Sequence, residues 1–146
     1  MITSKSMAHG NTNIYVLQCE WSGTVLNGII GALVKRPHKN MPMNCRARPR
    51  KVTISTELEK EISRIDDLWS GFREKYSNCG PWLFGEVSIA DCIFTPVVFR
   101  FTTYDVSVSE LSKDHMNNIL GHPEAQLWLA QSKDEIETID FAEVGK

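Results

Sequence analysis

Seven basic side chains are the densest group of chemically capable residues in this chain of 146 residues. They fall within the seventeen residues from 35 to 51, which contain no acidic residue: Lys35, Arg36, Lys39, Arg46, Arg48, Arg50 and Lys51. Guanidinium groups bind carboxylates and phosphates through paired hydrogen bonds, so this segment could bind an anion or a partner. The alternative is a solvated face, and basic character alone is a weak argument for RNA binding, because phosphate contacts must cluster on one surface.

The C-terminal segment carries the opposite charge. Its acidic residues are Asp134, Glu135, Glu137, Asp140 and Glu143. The net charge of the whole chain is only -2. This balance predicts no global attraction to nucleic acid or to a membrane surface.

The four cysteines are far apart in the sequence: Cys19, Cys45, Cys79 and Cys92. No pair has the Cys-x-x-Cys or Cys/His spacing of a zinc site, so we expect no metal centre. None lies beside an activating histidine, so we expect reduced thiols without a catalytic role, with Cys92 as a buried packing residue. Three isolated histidines are expected at the surface: His38, His115 and His122.

Ser88 and Asp91 have the spacing of a helix N-cap and its partner at N3. The Ser88 hydroxyl can accept the backbone N–H at N3, and the Asp91 carboxylate can accept the N–H of the cap. An acidic side chain there also interacts favourably with the positive end of the helix dipole. We therefore interpret both residues as structural, although Asp91 is acidic.

Residues 56 to 77 carry the clearest helix pattern. Thr56 and Glu59 have capping-box spacing, and Asn78 to Pro81 provide a stop. Apolar side chains recur at steps of four and three: Leu58, Ile62, Ile65, Trp69, Phe72 and Tyr76. One continuous apolar face of this kind predicts a helix packed on a core.

Residues 88 to 103 are apolar nearly all round, which predicts a helix buried on most sides. Pro96 lies inside it and predicts a kink near Cys92, because the Cys92 carbonyl loses its hydrogen-bond donor. The tryptophans at 69, 82 and 128 are expected in the core.

Two further helices are expected towards the C terminus. Ser112 or Asp114 is expected to cap a short helix over residues 115–120. Pro123 at a first-turn position then opens a helix that reaches Ile136. Strand patterns are almost absent, so we predict an all-α bundle.

Residues 1–39 form an atypical leader. Residues 1–13 are polar and expected to be disordered, and residues 14–34 are apolar and expected to form a helix docked on the core, or two shorter pieces. Residues 14–34 are about long enough to span a bilayer, but they contain Glu20 and three glycines, so we favour the docked helix. A short helix is expected around residues 43–47.

The segment Gly-Pro-Trp-Leu-Phe-Gly at residues 80–85, followed by the cap at Ser88 and Asp91, resembles a family signature. It is similar to the C-terminal helical domain of the glutathione S-transferases, in which such a segment precedes a Ser/Thr-x-Ala-Asp capping box that opens the central buried helix. The resemblance covers roughly residues 40 to 137. It implies a glutathione S-transferase C-terminal-domain-like helical bundle over residues 40–146.

The resemblance also implies a binding region. In this family the first helix of the domain lines the cleft for the electrophilic substrate, and that part maps onto Met41, Met43, Asn44, Arg46 and Arg48. Methionines suit an adaptable apolar pocket, and arginine can pair with a carboxylate of glutathione or of an acidic substrate. The alternative is that the methionines belong to the core and the arginines are solvated.

The family's glutathione site lies in a thioredoxin-like N-terminal domain that is not visible in this sequence. Residues 1–39 show no βαβ pattern and no nucleophile of that domain, which needs roughly eighty residues for its two βαβ-type units. We therefore expect no catalytic residue and no cofactor, and glutathione enters only as the substrate that the resemblance implies.

Two functions follow from these patterns. The first is a glutathione S-transferase-like protein reduced to its electrophile-site domain, without conjugation activity of its own; the alternative is a docking module of the same fold. Apolar surface left by the missing domain predicts a homodimer or a protein partner. We expect a cytoplasmic protein with no membrane association, and we do not expect a nucleic-acid partner.

Overall fold

Four α-helices form the part of the chain that the structure, a computed structural model, describes: residues 40–45 and 49–145. They are α1 (Thr56–Tyr76), α2 (Ile89–Thr103), α3 (Glu110–Gly121) and α4 (Pro123–Asp134). Short 3-10 turns occur at Ser77–Cys79 and Asp140–Ala142. The described residues form no β-strand, only two isolated bridges in the loop before α2, so this part is all-α. The predicted leader, with its helix over residues 14–34, lies outside the described residues.

The apolar face predicted for α1 is the face that the helix buries. Leu58, Ile62, Ile65 and Trp69 are buried, and Trp69 is fully so. The N-cap is Ser55 and not Thr56, because the Ser55 hydroxyl accepts the N–H of Leu58 at 3.3 Å.

A tight loop connects α1 to α2. Trp82 and Gly85 exchange backbone hydrogen bonds of 3.3 and 3.0 Å. Buried Arg73 on α1 holds this loop by donating from Nη1 to the carbonyl oxygens of Gly80 (2.8 Å) and Trp82. Gly80 has a φ of 141°, and a Cβ there would overlap the Gly85 carbonyl, so the loop requires glycine at this position.

The capping box predicted at Ser88 and Asp91 opens α2. The Asp91 Oδ2 atom accepts the Ser88 N–H at 2.8 Å and the Ser88 hydroxyl at 2.6 Å. Its Oδ1 atom accepts the buried Leu83 N–H at 3.1 Å, so one carboxylate fixes both the helix start and the loop before it. The expectation that Cys92 is buried was wrong: its side chain is exposed, because Ala90, Asp91 and Phe94 take the inward positions of this turn.

Trp69 lies at the centre of the bundle. Its ring contacts Phe94 and Phe101 of α2, each with centroids 5.5 Å apart, and His115 of α3 at 5.3 Å. His115 is completely buried, so the prediction of a surface histidine was wrong. A single histidine gives no periodic pattern that would predict its burial. In the structure its ring packs against Trp69 of α1.

The start of α3 also differs from the prediction. The N-cap is Ser109, whose hydroxyl accepts the Ser112 N–H at 3.4 Å, and the helix begins at Glu110. Asp66 of α1 in addition accepts the Ser109 N–H (3.0 Å) and hydroxyl (2.7 Å), together with the Ser112 hydroxyl. This carboxylate therefore ties α1 to the first turn of α3.

Pro123 stands in the first turn of α4, as predicted, with His122 as the N-cap. The helix ends at Asp134, before Ile136. Residues 43–45 are not helical, so the short helix expected from residue 43 is not formed there. None of the helices in the described part of the chain is long and apolar enough to cross a membrane.

Candidate functional site

An apolar cleft of about 440 Å³ lies between the first half of α2, the end of α3 and the start of α4. Six of its lining residues decide its character: Trp82, Val87, Cys92, Pro96, His122 and Trp128. The volume is in the range of small-molecule sites, which are concave and mostly apolar. The cleft can therefore hold an aromatic or aliphatic molecule of modest size.

Two tryptophans on different elements flank the cleft. Trp82, in the loop before α2, packs its ring at 72° against His122 with centroids 5.7 Å apart. Trp128 of α4 packs at 67° against Phe99 with centroids 5.0 Å apart and keeps 40% of its surface exposed. Val87 is 56% exposed, so the mouth of the cleft is open to solvent. Trp82 and Trp128, expected in the core, are thus cleft-lining residues.

The polar groups of the cleft serve mainly to build it. The Asp91 oxygens accept hydrogen bonds from Leu83 and Ser88, and the Thr95 hydroxyl donates to the Asp91 carbonyl at 2.8 Å. His122 Nδ1 accepts the Glu124 N–H at 3.3 Å. The surface that the cleft offers to a ligand is therefore mainly apolar. No group of three or more metal-ligating side chains occurs among residues 40–45 and 49–145.

The predicted binding residues separate into three sets. Met41 is buried in the core with 2% of its surface exposed. Met43 and Asn44 line a second cavity, of about 190 Å³, together with Glu143. Arg46 and Arg48 lie outside the described residues, so the structure brings together two of the five.

The segment around Asn44 is fixed to the end of α2. The Thr103 hydroxyl donates to the Asn44 carbonyl at 2.8 Å, and the Tyr104 hydroxyl donates to the Pro42 carbonyl at 2.8 Å. Burial raises the pKa of Tyr104, and Glu143 raises it further, against the opposing charges of Arg50 and Arg100. Tyr104 therefore stays protonated and keeps donating its hydrogen bond at neutral pH.

Sequence reasoning noted Arg50 and Glu143 separately but did not pair them. The Arg50 Nη2 atom forms an ion pair with Glu143 Oε2, and Asn44 Nδ2 donates to Glu143 Oε1 at 3.0 Å. Arg50 Nη1 donates to the Val144 carbonyl at 2.8 Å. Arg50 is only 7% exposed, so this basic residue is buried against the acidic tail and is not part of a solvated face.

His115 lies deep in the bundle and does not line the cleft. Burial, reinforced by the charge of Arg73, lowers the pKa of His115 to about 3. Its Nδ1 atom is 3.7 Å from Asp91 Oδ1, a contact of a neutral ring with a carboxylate at this pKa. His115 therefore contributes to packing and not to proton transfer at neutral pH.

Comparison with family models, with curated proteins and with solved structures finds no match to this chain.

Proposed function

We propose that residues 40–146 are a glutathione S-transferase C-terminal-like helical domain that binds aromatic or apolar small molecules and does not conjugate glutathione on its own. The cleft carries this proposal. The segments behind the family resemblance also build it: the loop before α2 supplies Trp82, and the first turns of the capped helix supply Cys92 and Thr95. Residues of the segments that carry the family resemblance therefore also line the cleft.

The chemistry of the cleft favours binding over conjugation. Activation of a thiol needs a base or a positive charge held close to the sulfur. Cys92 is the thiol that lines the cleft, and no hydrogen bond joins it to a base within the described residues. Glutathione as a substrate, like the homodimer, remains a proposal that rests on the family resemblance.

Ligand binding and turnover can be measured separately on the purified chain. We expect an unreactive aromatic such as a dinitrobenzene to quench tryptophan fluorescence, because Trp82 and Trp128 line the cleft. We expect calorimetry with glutathione to show no heat of binding, and a chlorodinitrobenzene with glutathione to show no turnover above the uncatalysed rate. Clear turnover would contradict the proposal.

A matched pair of variants identifies the cleft as the binding site. Cys92→Phe places a ring in the cleft and is expected to weaken binding at least about tenfold, which corresponds to about 1.4 kcal/mol. Ile89→Phe puts the same ring on the first turn of α2 at an exposed position outside the cleft lining, and should leave binding unchanged. Equal binding by both variants would place the ligand elsewhere.

The docking alternative is favoured by one observation. Large apolar side chains near the C terminus are exposed: Leu127 (52%), Ile136 (93%), Ile139 (59%) and Phe141 (87%). Apolar surface of this kind marks interaction sites. Light scattering over the micromolar range tests the homodimer, and Ile136→Ser with Phe141→Ser should reduce association if these residues form the contact. A monomer throughout that range would contradict self-association through this surface.

We also propose a cytoplasmic location. Cys45, Cys79 and Cys92 are free thiols in the structure. Free cysteines are typical of reducing compartments. Labelling of these thiols in cells without prior reduction would support the proposal, and their oxidation would contradict it.

A further inference from the structure

The C-terminal tail is held the way a bound peptide is held. Arg50 contacts the carboxylate of Glu143 through Nη2 and the carbonyl of the next residue, Val144, through Nη1. The Lys51 backbone N–H then donates to the Gly145 carbonyl at 3.3 Å. Two successive residues, Arg50 and Lys51, therefore contact three successive residues of the tail: the side chain of the first and the carbonyl oxygens of the next two.

Arg50 and Asn44, which contact the tail, are both anchored to the end of α2. The Arg50 N–H donates to the Thr103 carbonyl at 2.7 Å, so the end of α2 fixes the backbone that carries the guanidinium. Asn44, which gives Glu143 its second donor, is fixed to α2 through the Thr103 hydroxyl. Charge-assisted hydrogen bonds from a fixed arginine fork provide both strength and geometric selection for a carboxylate.

The segment that leads from α4 to this tail is exposed to solvent. Every residue from 133 to 141 is exposed, and the backbone at Glu135 and Ile139 is extended. An exposed, extended connection allows the segment after it to leave without unpacking a helix. The same connection could therefore deliver the tail to its own receptor or to that of another molecule.

We propose that Arg50, Lys51 and Asn44 form a peptide receptor whose second occupant, besides the chain's own tail, is the tail of another copy of this protein. Exchange of tails uses the same contacts in both arrangements, so it needs no new surface, which is the usual basis of domain swapping. The intramolecular tail competes at an effective concentration in the millimolar range. The wild-type chain therefore keeps its receptor filled at low concentration, and exchange becomes visible when the receptor is opened.

Gly145 offers a way to open the receptor without changing it. Its φ is 76°, and a Cβ at this position would lie 2.5 Å from the Lys51 carbonyl oxygen. Gly145→Ala should therefore release the tail while Arg50, Lys51 and Asn44 stay in place. Gly71→Ala is the matched control, because a Cβ there meets nothing within 4 Å.

The first experiment titrates a fluorescent peptide with the sequence of residues 139–146 into full-length variants. We expect Gly145→Ala to bind it at least about tenfold more tightly than the wild type or Gly71→Ala, because the intramolecular competitor is weakened. Adding Arg50→Lys to Gly145→Ala should remove most of this gain, since the single nitrogen of an ammonium does not reproduce the fork in which Nη2 contacts the carboxylate and Nη1 the next carbonyl. Equal binding by all four proteins would overturn the proposal.

The second experiment mixes two damaged chains that complement each other. Arg50→Lys keeps an intact tail with a weakened receptor, and Gly145→Ala keeps an intact receptor with a weakened tail. We expect each variant alone to have the mass of the wild type in light scattering, and the mixture to contain a species of twice that mass. A mixture that behaves as the sum of its parts would overturn tail exchange.

Circular dichroism and thermal unfolding check that each variant is folded. If Gly145→Ala unfolds the bundle, Glu143→Gln replaces it, because it removes the charge of the ion pair and leaves the backbone contacts of the tail. The same gain in peptide binding is then expected, and its absence counts against the proposal.

Discussion

His115 shows what one buried side chain does to the pH dependence of the fold. Its pKa is lowered by burial, and then by Arg73, to about 3, whereas an unfolded histidine titrates near 6.5. Between these two values the unfolded chain binds a proton that the folded chain does not. The contribution of neutral His115 to stability is therefore complete above pH 6.5 and is lost progressively as the pH falls below it.

Replacing His115 tests the predicted direction in which the unfolding free energy changes with pH. The wild type is expected to lose roughly 1.4 kcal/mol of unfolding free energy per pH unit below about pH 6 through this group. His115→Leu has a similar volume and no titrating group, so its unfolding free energy should be flatter between pH 6.5 and 4.5. Urea denaturation across this range makes the measurement. His122→Asn, which keeps an N-cap residue, should retain the wild-type slope, and a slope unchanged in His115→Leu would contradict the assignment.

The Asp91 carboxylate stabilises the start of helix α2. It accepts the Ser88 N–H and hydroxyl and the buried Leu83 N–H, so its loss leaves a donor unpaired in the interior as well as removing a cap. Asp91→Ala is therefore expected to cost about 2 to 4 kcal/mol of unfolding free energy.

Ser88→Ala provides the comparison for Asp91→Ala. It removes only the cap hydroxyl and should cost about 1 kcal/mol. Chemical denaturation measures both losses. Equal losses would mean that the hydrogen bonds from the Leu83 and Ser88 N–H groups to Asp91 contribute nothing.

Asp66 connects two elements in the same manner. Partial burial raises the pKa of Asp66, but the hydrogen bonds from Ser112 and Ser109 outweigh this effect and hold the pKa below its ordinary value of 3.8. Its stabilising contribution is thus present above pH 3.8 and lost as the pH falls through the lowered pKa of the folded state.

Asp66→Ala should remove this link between α1 and α3. We expect a loss of about 1 to 2 kcal/mol at pH 7, in the range of other N-cap deletions, and a smaller loss below pH 3.8. Asp67→Ala, at the exposed neighbouring position, should change stability by less than about 0.5 kcal/mol. Thermal unfolding at pH 7 and at pH 3.5 makes the comparison, and a loss independent of pH would contradict a role for the charged form.

Stability is unevenly distributed over the whole described unit. The buried positions of α2 run through the full length of the helix, from Ala90 to Thr103, whereas Ala125 is the buried residue of α4. Elements with few buried contacts open at lower free energy than the core. Hydrogen exchange by mass spectrometry should therefore show slow amides in α2 and faster ones in α4 and after residue 135. Equal protection of α2 and α4 would contradict this gradient.

The sequence predicted those features of the molecule whose causes are local. The apolar face of α1 and the capping box at Ser88 and Asp91 depend on residues three or four apart. Both features were predicted correctly to within one residue. The start of α3 was missed although its cap at Ser109 is local, whereas the further contact of this cap with Asp66, 43 residues earlier, has no local signal. The contact between Arg50 and Glu143 spans 93 residues and has no periodic signal, although the opposite charges of the two segments were visible.

The cleft depends on both local and long-range features of the chain. Trp82 and Cys92 were noted for their place in the loop and the capped helix, but their common surface with Trp128 depends on how α4 packs against α2. No local pattern specifies that packing. The signal for the cleft that the sequence does contain is an aromatic residue, Trp82, close to the predicted cap at Ser88.

The contact that Arg50 makes with the tail also has a consequence for synthesis. A ribosome makes the chain from its N terminus, so α1 to α4 are complete before Glu143 and Gly145 are added. Domains begin to fold during translation. The guanidinium of Arg50 therefore stays hydrated and without this carboxylate until residues 143 to 145 have left the ribosome, so this contact forms after the four helices have been synthesised.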